Sequence, residues 1–285
     1  AGDVAEVSNY VAALNHGLKR MRGGFPLSNR LLREMHALLL RSGRGASQQP
    51  GEFRRSQNWI GGSRPGNAAF VPPPPERVAD LMTGLERFLH GKPEPVSPLL
   101  KAGLAHVQFE SIHPFLDGNG RIGRLLITLL LVQDQVMKEP LLYLSLYFKR
   151  HRQEYYRHLS LVRERSDWGG WLRFFAEGVR DTAAEAAGTA RRLSDVFTRD
   201  LARIKAAGRS AGSADRVLTV MRERPLGTIA KLMKATGLPV PTVTRALEAL
   251  QKLRIVRETT GRRRGRVYAY DTYLEVLSEG TEPLA

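Results

Sequence analysis

The stretch His113-Pro-Phe-Leu-Asp-Gly-Asn-Gly-Arg-Ile-Gly-Arg124 decides the fold of this chain. Its glycines at 118 and 120 allow phosphate oxygens to approach backbone N–H groups, and the helix predicted over 121–132 adds the attraction of its positive N-terminal end. Arg121 and Arg124 lie three residues apart on one face of that helix, where two guanidinium groups can hold neighbouring phosphates. The stretch therefore predicts a phosphate-binding turn.

Two side chains beside this turn supply further chemistry. Asp117 precedes the glycines, and a carboxylate beside phosphates is a usual ligand of Mg²⁺. His113 is the nearby side chain with a pKa suited to accepting a proton at neutral pH. Each feature alone is more often structural, since glycine turns, packed histidines and solvated arginines are all common. Their occurrence together and in this order favours a catalytic site.

Helical periodicity extends to both sides of this stretch. Val4, Val7, Val11 and Leu14 predict the apolar face of a helix over 3–17, and Ser28 is the predicted N-cap of a second helix ending near Gly43. Further helices are predicted over 76–89, 98–108, 149–162, 168–182 and 185–207. The Gly-, Ser- and Pro-rich segment from Arg44 to Pro75 predicts instead a long loop with at most a short hairpin.

The last third of the chain has a different pattern. Three short helical segments, 214–223, 226–236 and 241–253, precede two β-like runs at 255–259 and 266–270 that flank an arginine-rich turn. This order predicts a winged helix, in which the third helix enters the DNA major groove and the wing binds phosphate. The candidate DNA contacts are Thr242, Thr244, Arg245, Arg262, Arg263 and Arg264. Winged helices also serve in protein docking and dimerisation, so both interpretations stay open.

Composition narrows the class of protein. The formal net charge is +16, and residues 201–285 hold sixteen Lys and Arg against eight Asp and Glu, so half of the excess lies in this segment. Such charge favours an anionic partner, although a generally basic proteome gives the same excess. The absence of cysteine excludes disulfides and thiolate sites. No apolar run approaches the ~20 residues of a membrane-spanning helix, and we expect a cytoplasmic protein with no membrane partner.

The 113–124 stretch resembles the Fic family signature, His-x-Phe-x-Asp/Glu-Gly-Asn-Gly/Lys-Arg-x-x-Arg, at every defined position. Other segments are similar to bacterial Fic/Doc proteins that carry a C-terminal winged helix; they are Asn9-Tyr10, Pro50–Gly61, Phe70–Pro75 and His106–His113. The resemblance implies a mainly α fold, with a Fic-type helical domain that bears a small β-hairpin flap and is followed by a winged-helix domain.

The same resemblance implies a division of the chain. We expect the catalytic domain at 1–183, where the N-terminal helices precede the flap at 51–63 and the motif at 113–124. A connecting helix and linker are expected at 184–212, and the winged helix at 213–285.

The activity that the resemblance implies is protein adenylylation. AMP would pass from ATP to a Tyr, Thr or Ser hydroxyl of a target protein, or of the enzyme itself, with release of pyrophosphate. His113 is then the general base and Asp117 the ligand of Mg²⁺, while Phe115 only anchors the loop. The expected nucleotide- and phosphate-binding residues are Gly118, Asn119, Gly120, Arg121, Ile122, Gly123, Arg124, Ile60, Gly61, Gly62, Tyr155 and Tyr156. Asn58 and Trp59 are expected to dock the target.

Many Fic proteins contain an inhibitory helix of the form Ser/Thr-x-x-x-Glu-Gly/Asn, and this chain contains no such hexapeptide. We therefore expect any inhibition to come from a segment upstream of Asp3 or from an antitoxin-like partner, and Arg124 to be available for the γ-phosphate. DNA and a second copy in a homodimer are further expected partners.

An alternative function is a DNA-binding regulator whose Fic core serves as a sensor or scaffold. His113 and Asp117 together favour the enzyme, because a scaffold needs neither. Related folds transfer UMP, phosphocholine or a phosphoryl group, or remove AMP. Glycine at 120 favours a nucleotide donor, since phosphoryl-transferring relatives tend to carry lysine there.

Overall fold

The computed structural model of the protein describes residues 2–91, 96–208 and 211–279. The chain divides into two compact units, 1–183 and 184–285. Helices dominate the described residues, which also contain one three-stranded sheet. The predicted mainly α fold class is confirmed.

Helices build the first unit. Two short 3₁₀ helices, at Pro65–Asn67 and Pro75–Arg77, lie within the long connection before α3. The α-helices are α1 Gly2–Arg22, α2 Asn29–Leu39, α3 Val78–His90, α4 Pro98–Ile112, α5 Asn119–Gln133, α6 Leu144–Arg150, α7 Arg152–Arg165 and α8 Trp168–Ala206, whose last part belongs to the second unit.

The centre of the first unit is α5. Leu125, Leu126, Ile127, Leu129 and Leu130 lie next to one another around this helix, and all are at most 1% exposed. A helix that is apolar on every side must be surrounded by protein. Since α4 ends at Ile112 and α5 begins at Asn119, the motif turn connects two core helices.

The predicted apolar face of α1 is wrong for three of its four residues, since only Leu14 packs against the core. Val4, Val7 and Val11 are 75%, 65% and 48% exposed, although the helix itself is present. The buried face is offset from the valines and includes Asn9, whose amide Nδ2 donates to the Ser42 carbonyl (3.0 Å). Hydrogen bonds thus bring a polar side chain into the core, which apolar periodicity cannot predict.

Other sequence predictions for this unit hold with changes of detail. Ser28 is the N-cap of α2, because its hydroxyl accepts from the Leu31 N–H. The long loop does contain a hairpin, but its strands are joined at a single β-bridge between Ile60 and Phe70. One uninterrupted helix, α8, replaces the two helices predicted at 168–182 and 185–207.

The described part of the second unit contains four further helices and the sheet. Their bounds are α9 Ala211–Glu223, β1 Leu226–Thr228, α10 Ile229–Thr236, α11 Val240–Lys252, β2 Val256–Glu258, β3 Val267–Tyr270 and α12 Asp271–Ser278. The strand order is β1-β3-β2 with both pairs antiparallel, and Val256 lies opposite Tyr270. The predicted pattern of three helices and a hairpin is confirmed.

Two elements of this unit were not predicted. Residues 226–228 form β1 and not the start of a helix, because Thr228 is the N-cap of α10 and accepts from the Lys231 N–H. The helix α12 follows β3 directly. The predicted linker overlaps α9, which begins at Ala211, and its residues 209–210 lie outside the described part of the chain.

None of the helices in the described ranges is long and apolar enough to cross a bilayer.

Candidate active site

His113 ends α4 in an unusual backbone conformation. Its φ of 50° lies in the left-handed region, which residues other than glycine seldom adopt. The His113 N–H donates to the Phe109 carbonyl (2.9 Å), and its own carbonyl accepts from Arg54 Nε (2.9 Å). These contacts fix the imidazole at the start of the motif turn.

The surroundings of His113 favour the neutral imidazole. The side chain is 16% exposed, and burial, reinforced by the positive charge of Arg163, lowers its pKa to about 4. Nδ1 has no hydrogen-bond partner among the described residues, and Glu110 Oε2 lies 4.0 Å away from it. His113 can therefore accept a proton at neutral pH.

Glu110 is a buried carboxyl that sequence reasoning missed. Burial raises its pKa to about 7, against the opposing effect of the charges on Arg124 and Arg163. Its Oε1 atom faces α5, where a Cβ on Gly123 would lie only 2.6 Å away. Because α4 also contains Lys101, His106 and Gln108, its sequence gives no signal that would have singled out Glu110.

The Asn119 side chain closes the motif turn. Its Oδ1 accepts from the Phe115 N–H (2.9 Å), and its Nδ2 donates to the Phe115 carbonyl (2.7 Å). Gly118, with φ 79°, then begins α5. Because the first N–H groups of a helix have no intrahelical acceptor, Asn119, Gly120 and Arg121 present backbone donors at the positive end of α5. An anion would bind these backbone groups, since the Asn119 amide is already engaged.

Asp117 lies beside these donors. Its Oδ1 accepts from the Gly118 N–H (2.6 Å), and Oδ2 is 3.7 Å from Arg121 Nη2. A Cβ on Gly45 would lie 2.6 Å from Oδ2, so the loop after α2 packs closely against this carboxylate.

The donor set at Asp117 fits Mg²⁺ bound together with a nucleotide. Within the described ranges there is no group of three His, Asp or Glu residues that could hold a metal ion alone. Mg²⁺ usually takes one or two protein carboxylates and completes its shell with phosphate oxygens and water. A single carboxylate at the N-terminus of α5 meets that requirement.

The two arginines of the turn differ in their partners. Arg121 Nη1 lies 3.7 Å from Glu6 Oε2 of α1, while its Nη2 faces Asp117. Arg124 forms no ion pair within the part of the chain that the structure describes, and its buried Nε has no hydrogen-bond acceptor there. Arg124 therefore has its charge available for an anion, whereas Arg121 already contacts two carboxylates.

The flap is attached to the motif by side chains. The guanidinium of Arg54, 2% exposed, donates to the carbonyl of Ser56 within the flap, to that of Pro73 beyond it, and to that of His113. Asn58 Nδ2 donates to the Phe115 carbonyl (3.0 Å). The flap thus has a fixed position beside the motif although its two strands share only one bridge.

A comparison with family models decides the identity of this region, because residues 26–131, which include α2 to α5, the flap and most of the site, match the Fic/DOC family. The chain contains a Fic/DOC family domain. Residues 213–260 match a second model, the IclR helix-turn-helix domain, which fits the predicted winged helix.

Curated relatives of the Fic domain carry one shared name. Proteins called "Protein adenylyltransferase Fic" from Drosophila yakuba and Aedes aegypti are each 38% identical over 133 residues, or 46% of this chain. The matched region spans about a quarter of those proteins, 24% of each.

Solved structures support the fold. A Fic family protein from Desulfovibrio desulfuricans G20 is 26% identical with a TM-score of 0.55, over 93% of this chain and 74% of its own. A Fic domain containing signaling protein from Bacteroides thetaiotaomicron is 20% identical with a TM-score of 0.51, over 65% and 71% of the two chains, and shows the fold alone.

Three residues expected to bind nucleotide in the Fic domain face its interior. Ile122 is fully buried and donates its N–H to the Gly118 carbonyl, and Gly123 packs against Glu110. Tyr155 is 5% exposed, with its hydroxyl bonded to buried His106 (2.9 Å). The side chains of Ile122 and Tyr155 thus offer little surface to a ligand, and contact of all three residues with the nucleotide stays a prediction. Tyr156 is 47% exposed, and its contact with the nucleotide stays a prediction.

The flap residues have different degrees of exposure. Gly61 and Gly62 follow the bridge residue Ile60 with φ values of 70° and 69°, at the exposed tip. Trp59 is 41% exposed and presents its ring to solvent. Asn58 uses one of its two amide hydrogens to donate to the motif, and its contact with a target stays a prediction.

His36 is a second residue that sequence reasoning missed. Its ring stacks on Phe115 with centroids 3.8 Å apart, Nδ1 accepts from the Gly51 N–H (2.8 Å), and Nε2 bonds the Asp117 carbonyl (2.9 Å). Since Nδ1 accepts, the proton is on Nε2, and burial lowers the pKa of the ring. On α2, His36 appeared only as a polar residue within an apolar stripe.

The expected DNA-contacting residues lie on two elements of the second unit. Arg245 is exposed on α11, while Thr242 and Thr244 are partly buried, and the Thr244 hydroxyl donates to the Val240 carbonyl (2.9 Å). Arg262, Arg263 and Arg264 are exposed in the turn between β2 and β3. Arg263 and Arg264 line a groove of about 570 Å³ together with Met233 and Val240.

Proposed function

We propose that this protein is an adenylyltransferase that transfers AMP from ATP to the hydroxyl of a Tyr, Thr or Ser residue in a target protein. The observation that carries the proposal is a neutral, poorly solvated His113 next to the positive end of α5, with the backbone donors of residues 119–121 and the unpaired charge of Arg124. A base and a phosphate-binding site thus lie side by side.

The reaction requires one proton transfer and one displacement. His113 removes the proton of the attacking hydroxyl while the hydroxyl oxygen forms a bond to the α-phosphorus. The bond from that phosphorus to the bridging oxygen breaks, and pyrophosphate leaves with its electron pair. The product is a phosphodiester between AMP and the protein.

The phosphates of ATP would be held by the α5 end of the turn. Backbone N–H groups of residues 119–121 donate to phosphate oxygens, and fixed donors of this kind stabilise charge as it develops. Arg124 adds a planar, permanently charged fork for a terminal phosphate. Asp117 would hold Mg²⁺, which would neutralise part of the phosphate charge.

The contacts of His113 support this role. Glu110 lies on the Nδ1 side of the ring, so the other nitrogen, Nε2, is the proton acceptor. The Arg54 bond to the His113 carbonyl keeps the imidazole in place during the reaction. Relatives named protein adenylyltransferase support the same reaction type.

Labelled ATP provides a direct test. The purified chain, Mg²⁺ and ATP labelled at the α-phosphate are incubated with a cell lysate, and labelled proteins are identified by mass spectrometry. We expect peptides heavier by one AMP at a Tyr, Thr or Ser. Label from the γ-phosphate on protein, with none from the α-phosphate, would instead show phosphoryl transfer.

A second candidate function is DNA binding by the C-terminal unit. The match of residues 213–260 to a helix-turn-helix model and the three exposed arginines between β2 and β3 favour it. It is compatible with AMP transfer, because the two activities would use different residues. Binding of the full chain to duplex DNA at several salt concentrations tests it.

A further inference from the structure

We propose that Arg163 is a positioning residue that joins the flap to the end of α4 and so holds the flap in place beside the motif that contains His113. Its meaning for catalysis rests on the AMP transfer proposed above. The contacts from which we infer it are independent of that function.

One side of the Arg163 guanidinium covers the flap. Its central carbon lies 3.6 Å from the centroid of the Phe70 ring. Phe70 is the residue that pairs with Ile60 in the single bridge of the flap, through N–H···O bonds of 2.8 and 3.1 Å. A cation at this distance from an aromatic face is attracted to it. Arg163 thus binds the flap at its one ordered backbone pair.

The edge of the same guanidinium binds the catalytic helix. Its Nη2 donates to the Glu110 carbonyl (3.2 Å), and its Nε is 3.3 Å from the Ser111 hydroxyl, both in the last turn of α4. The α4 carbonyls there need external donors, since a helix leaves its last four unpaired. A planar guanidinium can stack and donate in its plane at once, which a lysine ammonium cannot do.

Arg163 also acts on the charge of His113. The charged and titratable groups facing this imidazole are Arg163 on α7, Arg54 in the first part of the flap, Asp117 in the motif and Glu110 on α4. Burial makes the largest contribution to lowering the His113 pKa, and the charge of Arg163 makes the second largest. The charge of Asp117 raises this pKa. Removing the Arg163 charge therefore raises the His113 pKa.

Hydrogen exchange of the whole 285-residue chain tests, without reference to activity, whether Arg163 holds the flap. The variants are Arg163→Lys and Arg163→Met, and the control is Arg165→Met, which changes an exposed arginine of the same helix. We expect the amides of Ile60, Ala69 and Phe70 to exchange about tenfold faster in both Arg163 variants and unchanged in the control. Unchanged exchange in Arg163→Met, or equal acceleration throughout residues 2–183, would overturn the proposal.

Transfer kinetics separate a positioning role from a purely structural one. In Arg163→Met, kcat should fall, KM for ATP should stay constant, and the acidic limb of the pH profile should move to higher pH. In Arg163→Lys, the acidic limb should stay at its wild-type pH because the positive charge remains, whereas kcat should fall. A mobile flap with wild-type kinetics would overturn the positioning role. If the wild-type protein transfers no AMP, the proposed function fails. The hydrogen-exchange result alone then decides whether Arg163 holds the flap.

Discussion

The imidazole of His113 occupies a site that is dry and positively charged. Burial and the charges of Arg163 and Arg54 disfavour its protonation, while contact with the Glu110 backbone and the charge of Asp117 favour it. A histidine in such surroundings is a weaker base than in water, but it is almost completely in the reactive, neutral form at pH 7. These surroundings explain why a base can work beside a phosphate-binding turn without being protonated.

The pH dependence of AMP transfer follows from this environment. With a His113 pKa of about 4, the single-turnover rate should stay within about 10% between pH 7 and 5.5, whereas an ordinary histidine would lose about tenfold. The rate should fall only as pH approaches 4, because the protonated ring cannot accept the substrate proton. Circular dichroism at each pH controls for unfolding.

Glu110, whose pKa lies near 7, titrates in the same interval and needs its own control. The variant Glu110→Gln removes that titration and should show the same flat profile. A tenfold loss centred near pH 6.5 in both proteins would refute the proposed environment of His113.

At the scale of elements, the close contact of α4 with α5 brings His113 and the phosphate-binding turn together. Glycine at 123 permits this contact, because a Cβ there would lie 2.6 Å from Glu110 Oε1 and 3.2 Å from the His106 ring. Both neighbours are buried and have little room to move.

Two glycine-to-alanine variants compare this contact with an open helical position. Gly123→Ala should lower the free energy of unfolding by about 1–3 kcal/mol through overpacking. Gly84→Ala, on α3 with nothing within 4 Å of the new Cβ, should raise it by about 0.5–1 kcal/mol through helix propensity. Urea unfolding measures both. Equal effects would show that α4 and α5 do not pack as described.

The elements differ in how well the sequence predicts them. Apolar stripes and capping residues predict the presence of α2, α9, α10 and α11, although α10 begins at Ile229 and not at Leu226. The buried face of α1 escapes such reasoning, since it depends on hydrogen bonds from Asn9 to residues far along the chain. β1 escapes it because three residues become a strand only by pairing with β3.

The candidate site likewise contains residues that the sequence predicts and residues that it does not. The motif positions follow from glycine spacing and charge, and the resemblance identifies the residues with expected chemistry. His36, Arg54, Glu110 and Arg163 support that motif through contacts between distant segments. Nothing in their local sequence separates them from ordinary surface or core residues, so only the folded structure reveals them.

At the scale of the whole molecule, the excess positive charge falls on both units, and each has a cationic feature of its own. In the first unit, Arg124 and the N-terminus of α5 lie at the motif turn. In the second unit, the consecutive arginines 262–264 are exposed. Two separate anionic ligands account for this distribution better than one.

Salt-dependent DNA binding tests the second of these features. Replacing Arg262, Arg263 and Arg264 together by Ala should lower the log–log salt slope of binding by about three, roughly one for each lost phosphate contact. The matched triple Lys variant should keep the slope, because its charges remain. If the wild-type chain binds duplex DNA without salt dependence or not at all, the C-terminal unit is a docking module.

The first feature, AMP transfer with His113 as its base, is the central claim. The most direct measurement follows α-labelled AMP onto target protein by His113→Ala, with ATP affinity determined on the same sample. We expect a labelling rate about 10²–10⁴-fold below wild type and an ATP affinity changed by less than about twofold, because the base acts on the hydroxyl and not on the nucleotide. His151→Ala, at an exposed histidine, should behave as wild type. Labelling by His113→Ala at near the wild-type rate would show that His113 is not the general base.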